Sequence, residues 1–482
     1  MELSKTLGEL KASGYKSISI KDEMRKNLIG ILKNGEQPFA GVIGYQDTVI
    51  PQLQRAILAK HNISLLGLRG QAKTTIARLM VGLLDEFIPS IAGSELNEDP
   101  FHPITKKAKA ILAEQGDETP ISWIHRSERY TEKLATPDVS VSDLIGDLDP
   151  IKAAHLKLSF SDEEAIHYGL VPHSNRGIFV INELPDLQPR IQVSLFNILQ
   201  EGDIQIRGFK VRLPLDIHFV FTSNPEDYTN RGSIITPLKD RIQSQIITHY
   251  PMNISESKII TRQEAQIEDD QKSLVSVPGL LDDMIEELSF VARESELIDQ
   301  KSGVSVRLSI TAFENLIATA ELRALKNNQK STTVRISDLI GAIPAITGKV
   351  ELVYEGEQEG ALQVAHQIIR QTIRKEFLKT FPSPERLSKR ESPSPYDPIV
   401  EWFGNHSLDL DNDASDEDYA QKLLSIKPLV SFIRDFMPEI QKSEVPLYAE
   451  FVLHALAEYS LISKKSYHGK VNFNDMLGSM LS

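Results

Sequence analysis

From residue 62 to about 250, short apolar runs alternate with amphipathic stretches. Three runs read as strands: 63–66 (ISLL), 178–181 (IFVI) and 217–222 (IHFVFT). The second is apolar throughout, as in a strand covered on both faces, and the strand–helix alternation predicts a parallel α/β sheet. Residues 1–36 read as polar helical material, and 36–60 as a short loop entering an amphipathic helix. Over 253–350 the apolar spacing becomes three and four, in LLDDMIEELSFVA and ITAFENLIATAEL, which predicts helices. Another amphipathic helix is expected at 361–381, and helical periodicity returns over 419–482, including PLYAEFVLHALAEYSLI. Proline, serine and charge crowd residues 382–398, a linker composition. The expected division is a helical segment 1–36, an α/β core 37–252, a helical lid 253–350 and an all-α C-terminal region 351–482. No repeat of fixed period is visible.

Composition excludes several classes. The 482 residues suit two to four units, with 41% apolar and 25% charged residues as in ordinary globular proteins. No apolar run approaches the roughly 18 residues of a membrane span, and the first residues lack an apolar signal core. A cytoplasmic location is therefore expected. The absence of cysteine excludes disulfides, thiolate zinc sites and a thiol nucleophile. A net charge of −14 argues against nucleic acid as the main partner, because such affinity comes from neutralising phosphates.

The strongest chemical signal is SLLGLRGQAKTTIARLMVGLL. A strand ends at Leu66, a glycine-containing turn follows, and a helix begins with Ile76, Leu79, Met80, Leu83, Leu84 and Phe87 on one face. Strand, loop and helix start form the setting of a phosphate loop, where backbone N–H groups meet the anion. Lys73 is expected to reach the β- and γ-phosphates of ATP, and the Thr74 hydroxyl to hold Mg²⁺. Gly70, Gln71, Ala72 and Thr75 complete the binding segment. Ala72 stands where the pattern G-x-x-x-x-G-K-[ST] has glycine, and alanine fits if its φ is negative.

About a hundred residues on, GIFVINELPDLQ ends a buried strand at Asn182-Glu183. Such strand ends normally read Asp-Glu, the Asp assisting Mg²⁺ and the Glu orienting the attacking water. A unit anion about 4 Å from a divalent ion gains roughly 8 kcal/mol at an effective dielectric of 20, before desolvation. Asn182 lacks that charge but can hydrogen-bond a metal-bound water, so slower turnover or weaker Mg²⁺ dependence is expected. Glu183 remains the candidate for orienting water. Asn224, ending IHFVFTSNP, can sense the γ-phosphate or place water. Arg241, in TPLKDR, can serve a neighbouring subunit as an arginine finger, and Arg307, in SVRLS, can reach phosphate from the helical lid. Each of these three also has a bland reading as a turn former or surface charge.

Taken in order, GLRGQAKTT, RGIFVINEL, FTSNPEDY, PLKDR and the lid arginine resemble the AAA+ superfamily. With PFAGVIGYQ (38–46), DLIGDLDPIKA (143–153) and EGDIQIRG, the chain is similar to magnesium chelatase I-subunits and MoxR-like ATPases over about residues 37–350. The resemblance implies a P-loop AAA+ core with a helical lid, and a ring, usually hexameric, with ATP at its interfaces. It implies an adenine pocket lined by Val42 and Ile43, and insertions near 142–170 and before Ser223. The second has its own sequence support, since Gly208-Phe209 separates alternating 204–207 and 210–213 as in a hairpin. It also suggests a von Willebrand factor A domain partner, for metal insertion or complex maturation.

The leading expectation is thus an ATP-hydrolysing chaperone or remodelling machine. A nucleotide-gated scaffold with little turnover is the alternative that Asn182 raises. A transcriptional activator ATPase would carry a Gly-Ala-Phe-Thr-Gly-Ala loop and a DNA-binding helix pair, and neither is present. Asp409–Asp413 starts like a calcium loop but lacks its glycine and final glutamate, and reads as a solvated acidic linker. The histidines have no paired-ligand spacing, and no Gly-x-Ser-x-Gly elbow occurs.

Overall fold

Five strands, β1 (Ile63–Leu66), β2 (Tyr130–Leu134), β3 (Gly177–Asn182), β4 (Ile217–Ser223) and β5 (Ser244–Ile247), pair in parallel in the order β5-β1-β4-β3-β2. The computed structural model describes residues 3–159, 162–206, 209, 212–225, 232–384, 394–467 and 469–476. Its two compact units are Met1–His249 and Tyr250–Ser482.

In the first unit, side-chain alternation splits the sheet into two buried faces. Ile178, Val180, Val220, Ile63, Leu65 and Ile246 pack with Ile20, Met24, Leu28, Leu53 and Ile76. Phe179, Ile181, Phe219 and Phe221 pack on the other side with Leu184, Ile191, Leu195 and Leu238. The apolar runs at 63–66, 178–181 and 217–222 are these strands, as expected. The helix Ile20–Lys33 starts at a Ser19 cap and buries Ile20, Glu23, Met24 and Leu28. Glu23 there pairs with Arg129, the two side chains 4% and 1% exposed, with N···O distances of 2.6 and 2.7 Å.

The helix after the phosphate loop is shorter than its apolar spacing suggests. It runs Lys73–Leu79, tightens into a 3₁₀ turn at Met80–Leu83, and becomes extended at Leu84. Phe87 is not on its face; it begins the strand Phe87–Ile91, antiparallel to Ile121–His125. Within 142–170, Gly146–Leu148 pairs with Ile166–Tyr168 around a helix at Pro150–Leu156; residues 160–161 lie outside the described residues. The predicted hairpin pairs Asp203–Gln205 with Arg212–Pro214; Arg207, Gly208, Lys210 and Val211 at its tip are outside the described residues.

The second unit contains the expected helices Gly279–Glu294, Arg307–Lys326, Ala361–Thr380 and Val445–Glu458 around one core. It is mainly helical but also holds a three-stranded antiparallel sheet, Leu408–Asp411, Lys470–Asn474 and Ser463–Tyr467, which the all-α expectation lacked. The supposed acidic linker at Asp409 is part of that sheet, because Leu408 and Leu410 alternate with it and are buried. Of the linker predicted at 382–398, residues 385–393 lie outside the described residues. Among the described residues, no helix is long and apolar enough to cross a membrane.

Candidate functional site

β1 lies between β4 and β5, so the chain leaves Leu66 near the middle of the sheet's C-terminal edge, where ligands of open α/β sheets bind. The Gly67 N–H donates to the Ser223 carbonyl at 3.1 Å, and the Thr248 N–H to that of Leu66 at 2.8 Å. These bonds pin the loop between both neighbouring strands. A Cβ at Gly67 would lie 1.9 Å from Thr248 Oγ1 and 2.2 Å from Gln71 Oε1, so any other residue would force one of these side chains to move. The Thr248 hydroxyl donates to buried Gln71 Oε1 at 2.7 Å. The Tyr45 hydroxyl reaches the carbonyls of Gln71 at 3.0 Å and His249 at 2.7 Å, and Thr48 Oγ1 is 2.7 Å from His249 Nε2. The 42–48 segment, with Val42 buried and Ile43 half-buried, is thereby fastened to the phosphate loop.

Ala72 does not have the negative φ that would make alanine easy. Its φ is 53° and ψ 17°, a left-handed residue at the mouth of the helix. The turn needs that conformation, which is why glycine is usual here; a Cβ costs about 1–2 kcal/mol. Gly70, at φ 73°, takes the other left-handed position without that strain. Lys73 follows as the first helical residue, and its ammonium donates to the carbonyls of Gly67 and, at 2.8 Å, Leu68. Thr74 and Thr75 occupy the first turn.

β4 ends beside this loop, and β3 ends one strand further along the same edge. Asn182 is buried and ends β3; exposed Glu183 follows with φ 56° and ψ 49°, turning the chain sharply. The Glu183 N–H donates to Thr222 Oγ1 at 3.2 Å, and the Thr222 hydroxyl donates to Asn182 Oδ1 at 2.9 Å. Asn182 Nδ2 donates to Glu132 Oε1 on β2 at 2.6 Å. Glu132 also accepts from Arg78 Nε at 3.0 Å, Arg78 Nη2 at 3.3 Å and the Tyr130 hydroxyl at 3.0 Å. Burial, then the Glu132 carboxylate, pushes the Tyr130 phenol above its ordinary pKa. Buried Asn224 follows β4 directly, one residue past the carbonyl that holds Gly67.

The structure thus brings Gly70, Gln71, Ala72, Lys73, Thr74, Thr75, Asn182, Glu183 and Asn224 to one edge of one sheet. Arg241 ends the helix Thr236–Arg241, half-buried over the Phe196 ring at 4.6 Å and bonded to Gln200 Oε1 at 2.8 and 3.1 Å. Arg307 opens the helix Arg307–Lys326 of the second unit and is exposed. Sequence reasoning missed Glu132, Tyr45, Thr222 and Thr248. Glu132 lies on a polar edge strand, YTEKL, with no apolar run to mark it.

The loop fits a nucleotide's phosphate chain with Mg²⁺. Left-handed residues at 70 and 72 turn the chain sharply into a helix that Lys73 opens, with its ammonium held over the loop at the Gly67 and Leu68 carbonyls, the donor set such a group requires.

Comparison with known proteins gives a related picture. Residues 153–247, about a fifth of the chain, match the Sigma-54 interaction domain family. The hydrogenase transcriptional regulatory protein HoxA of Cupriavidus necator is 28% identical over 100 residues, 20% of this chain and 21% of that protein. The chain therefore spans about a fifth of that relative's length. Among solved structures, a candidate ATPase from Cytophaga hutchinsonii is 19% identical, covering 75% of this chain and 98% of that one, with a TM-score of 0.30. A structure of the complex between the BchI and BchD subunits of magnesium chelatase is 19% identical, covering 67% and 98%, with a TM-score of 0.34. The parallel sheet flanked by helices, with a mainly helical second unit, is the general arrangement of α/β core and helical region expected from the sequence.

Proposed function

We propose that this chain binds and hydrolyses ATP as an AAA+ machine that remodels a protein client. The observation that supports the reading most is the sheet order: the Lys73 loop leaves β1 next to the end of β4, which Asn224 follows, and one strand from the end of β3, which Glu183 follows. In this reading Lys73 leaves the Gly67 and Leu68 carbonyls for the β- and γ-phosphates. Thr74 would hold Mg²⁺, whose chemistry there would be to neutralise charge on the phosphate oxygens. Glu183 orients the attacking water and Asn224 reads the γ-phosphate. Val42 and Ile43 line the adenine pocket. Arg241 acts on the next subunit of a ring, six-membered in the family resembled, and Arg307 acts from the lid. A von Willebrand factor A domain partner, metal insertion or complex maturation as the task, and a cytoplasmic location rest on the resemblance alone.

Purified chain with Mg-ATP should release phosphate, and Lys73→Ala and Glu183→Gln should abolish release. Turnover of the wild type equal to that of Glu183→Gln would sink the reading in favour of a nucleotide-gated scaffold. The scaffold reading follows from Asn182 and predicts equal assembly, by light scattering, with ATP and a non-hydrolysable analogue. The Sigma-54 interaction domain match favours one further reading, an ATPase acting on transcription. Its match covers residues 153–247, the second half of the α/β core, and the Gly-Ala-Phe-Thr-Gly-Ala string of such regulators does not occur in the sequence. Proteins captured by a Glu183→Gln trap would separate the two: a polymerase subunit supports the regulator, another client the remodeller.

A further inference from the structure

Position 182 carries an amide where the resemblance leads to an acid, yet a carboxylate stands one hydrogen bond away. Asn182 and Glu132 share the face of the sheet that Val180, the register partner of Glu132, turns toward the phosphate-loop helix. Arg78, which grips Glu132 through two bonds, lies one turn along that helix from Thr74 and so on the same side. We propose that Glu132 is a positioning residue of the nucleotide site, and that it forms an exchanged pair with Asn182: the carboxylate sits on β2 and the amide on β3. The inference rests on the ATPase reading above.

Two features support the exchange. An aspartate at 182 would set two carboxylates face to face across the present 2.6 Å bond, whereas asparagine offers a donor to an acceptor. The negative charge is therefore displaced by one hydrogen bond rather than lost. Glu132 also decides which way the amide faces. With Nδ2 held by the carboxylate, Oδ1 must meet the Thr222 hydroxyl, which in turn accepts the N–H of Glu183. The line Arg78–Glu132–Asn182–Thr222–Glu183 ties the phosphate-loop helix to a glutamate held in a left-handed conformation, and such a residue persists only where its surroundings fix it.

The test uses the full chain and four forms: wild type, Glu132→Gln, Asn182→Asp and the double variant. Fluorescent ADP binding in EDTA should be the same for all within about twofold. Electron paramagnetic resonance titration of Mn²⁺ into the ADP complexes should show about tenfold weaker binding for Glu132→Gln. Its kcat should fall with little change in KM, because positioning rather than uniform binding is lost. The double variant should recover most of both losses, while Asn182→Asp alone should unfold at lower temperature than wild type. Wild-type Mn²⁺ affinity and kcat in Glu132→Gln would overturn the proposal, as would a double variant no better than Glu132→Gln. Failure of the wild type to bind ADP at all would remove the ATPase reading, and this inference with it.

Discussion

Gly67→Ala tests whether the phosphate loop is held as its geometry implies. The new methyl would lie 1.9 Å from Thr248 Oγ1 and 2.2 Å from Gln71 Oε1, and those two atoms are themselves bonded at 2.7 Å. One of them must move. Overpacking a tight site costs about 1–3 kcal/mol. Leaving buried Gln71 Oε1 without its donor adds about 1–3 kcal/mol. The expected loss is therefore about 2–6 kcal/mol, or roughly 4–20 °C for a unit of this size. The chain has two tryptophans, and Trp123 lies in the first unit, so a Trp402→Phe background lets urea unfolding followed by tryptophan fluorescence report that unit. Adding Thr248→Ala should recover roughly half of the loss, since it removes the closer contact but not the Gln71 one. A Gly67→Ala chain within about 0.5 kcal/mol of its parent would refute the reasoning. So would a double variant as unstable as the single one, which would locate the damage elsewhere.

Three other changes probe independent features. Ala72→Gly should stabilise by about 0.5–1 kcal/mol, because relief of the left-handed strain exceeds the added freedom of the unfolded chain; a lower urea midpoint would count against it. Glu23→Ala should cost about 3–5 kcal/mol by stranding the Arg129 guanidinium, and Glu23→Met with Arg129→Met should recover much of it; unfolding of the three chains decides. His218 is buried with no hydrogen-bond partner for either ring nitrogen among the described residues, and burial, with Lys21 nearby, pulls its pKa down to about 3. The unfolded chain then binds a proton below about pH 6.5 that the folded chain refuses, so stability falls as pH falls, by about 2 kcal/mol between pH 6.5 and 5. His218→Leu should flatten that part of the stability–pH curve, and an unchanged slope would exclude His218 as its source.

β1, β3 and β4 are legible in the sequence because burial on both faces makes them continuous apolar runs. β2 and β5 are not, because they form the two edges of the sheet and carry Thr131, Glu132, Lys133, Ser244 and Gln245. The small sheet of the second unit hides for the same reason: Ser463–Tyr467 is polar throughout, and Asp409 masks the alternation of Leu408 and Leu410. The phosphate loop can be read from residue types, but the sign of φ at Ala72 cannot. It belongs to the folded turn between Leu66 and the helix, whose start is pinned to β4 and β5 by the Gly67 and Thr248 N–H bonds.

The strand end at 182 shows where motif reading stops for a different physical reason. A motif assigns one charge to one position along the chain, but a sheet delivers side chains from neighbouring strands to the same point in space. β2 runs beside β3 in parallel, so Glu132, fifty residues earlier, arrives 2.6 Å from the amide of Asn182. Read along the chain, Asn182 is a missing acid and weakens the case for hydrolysis. Read across the sheet, it is the residue that lets an acid on the next strand stand there without repulsion, and the doubt it raised passes to Glu132, whose charge Arg78 shares and whose substitution can be measured.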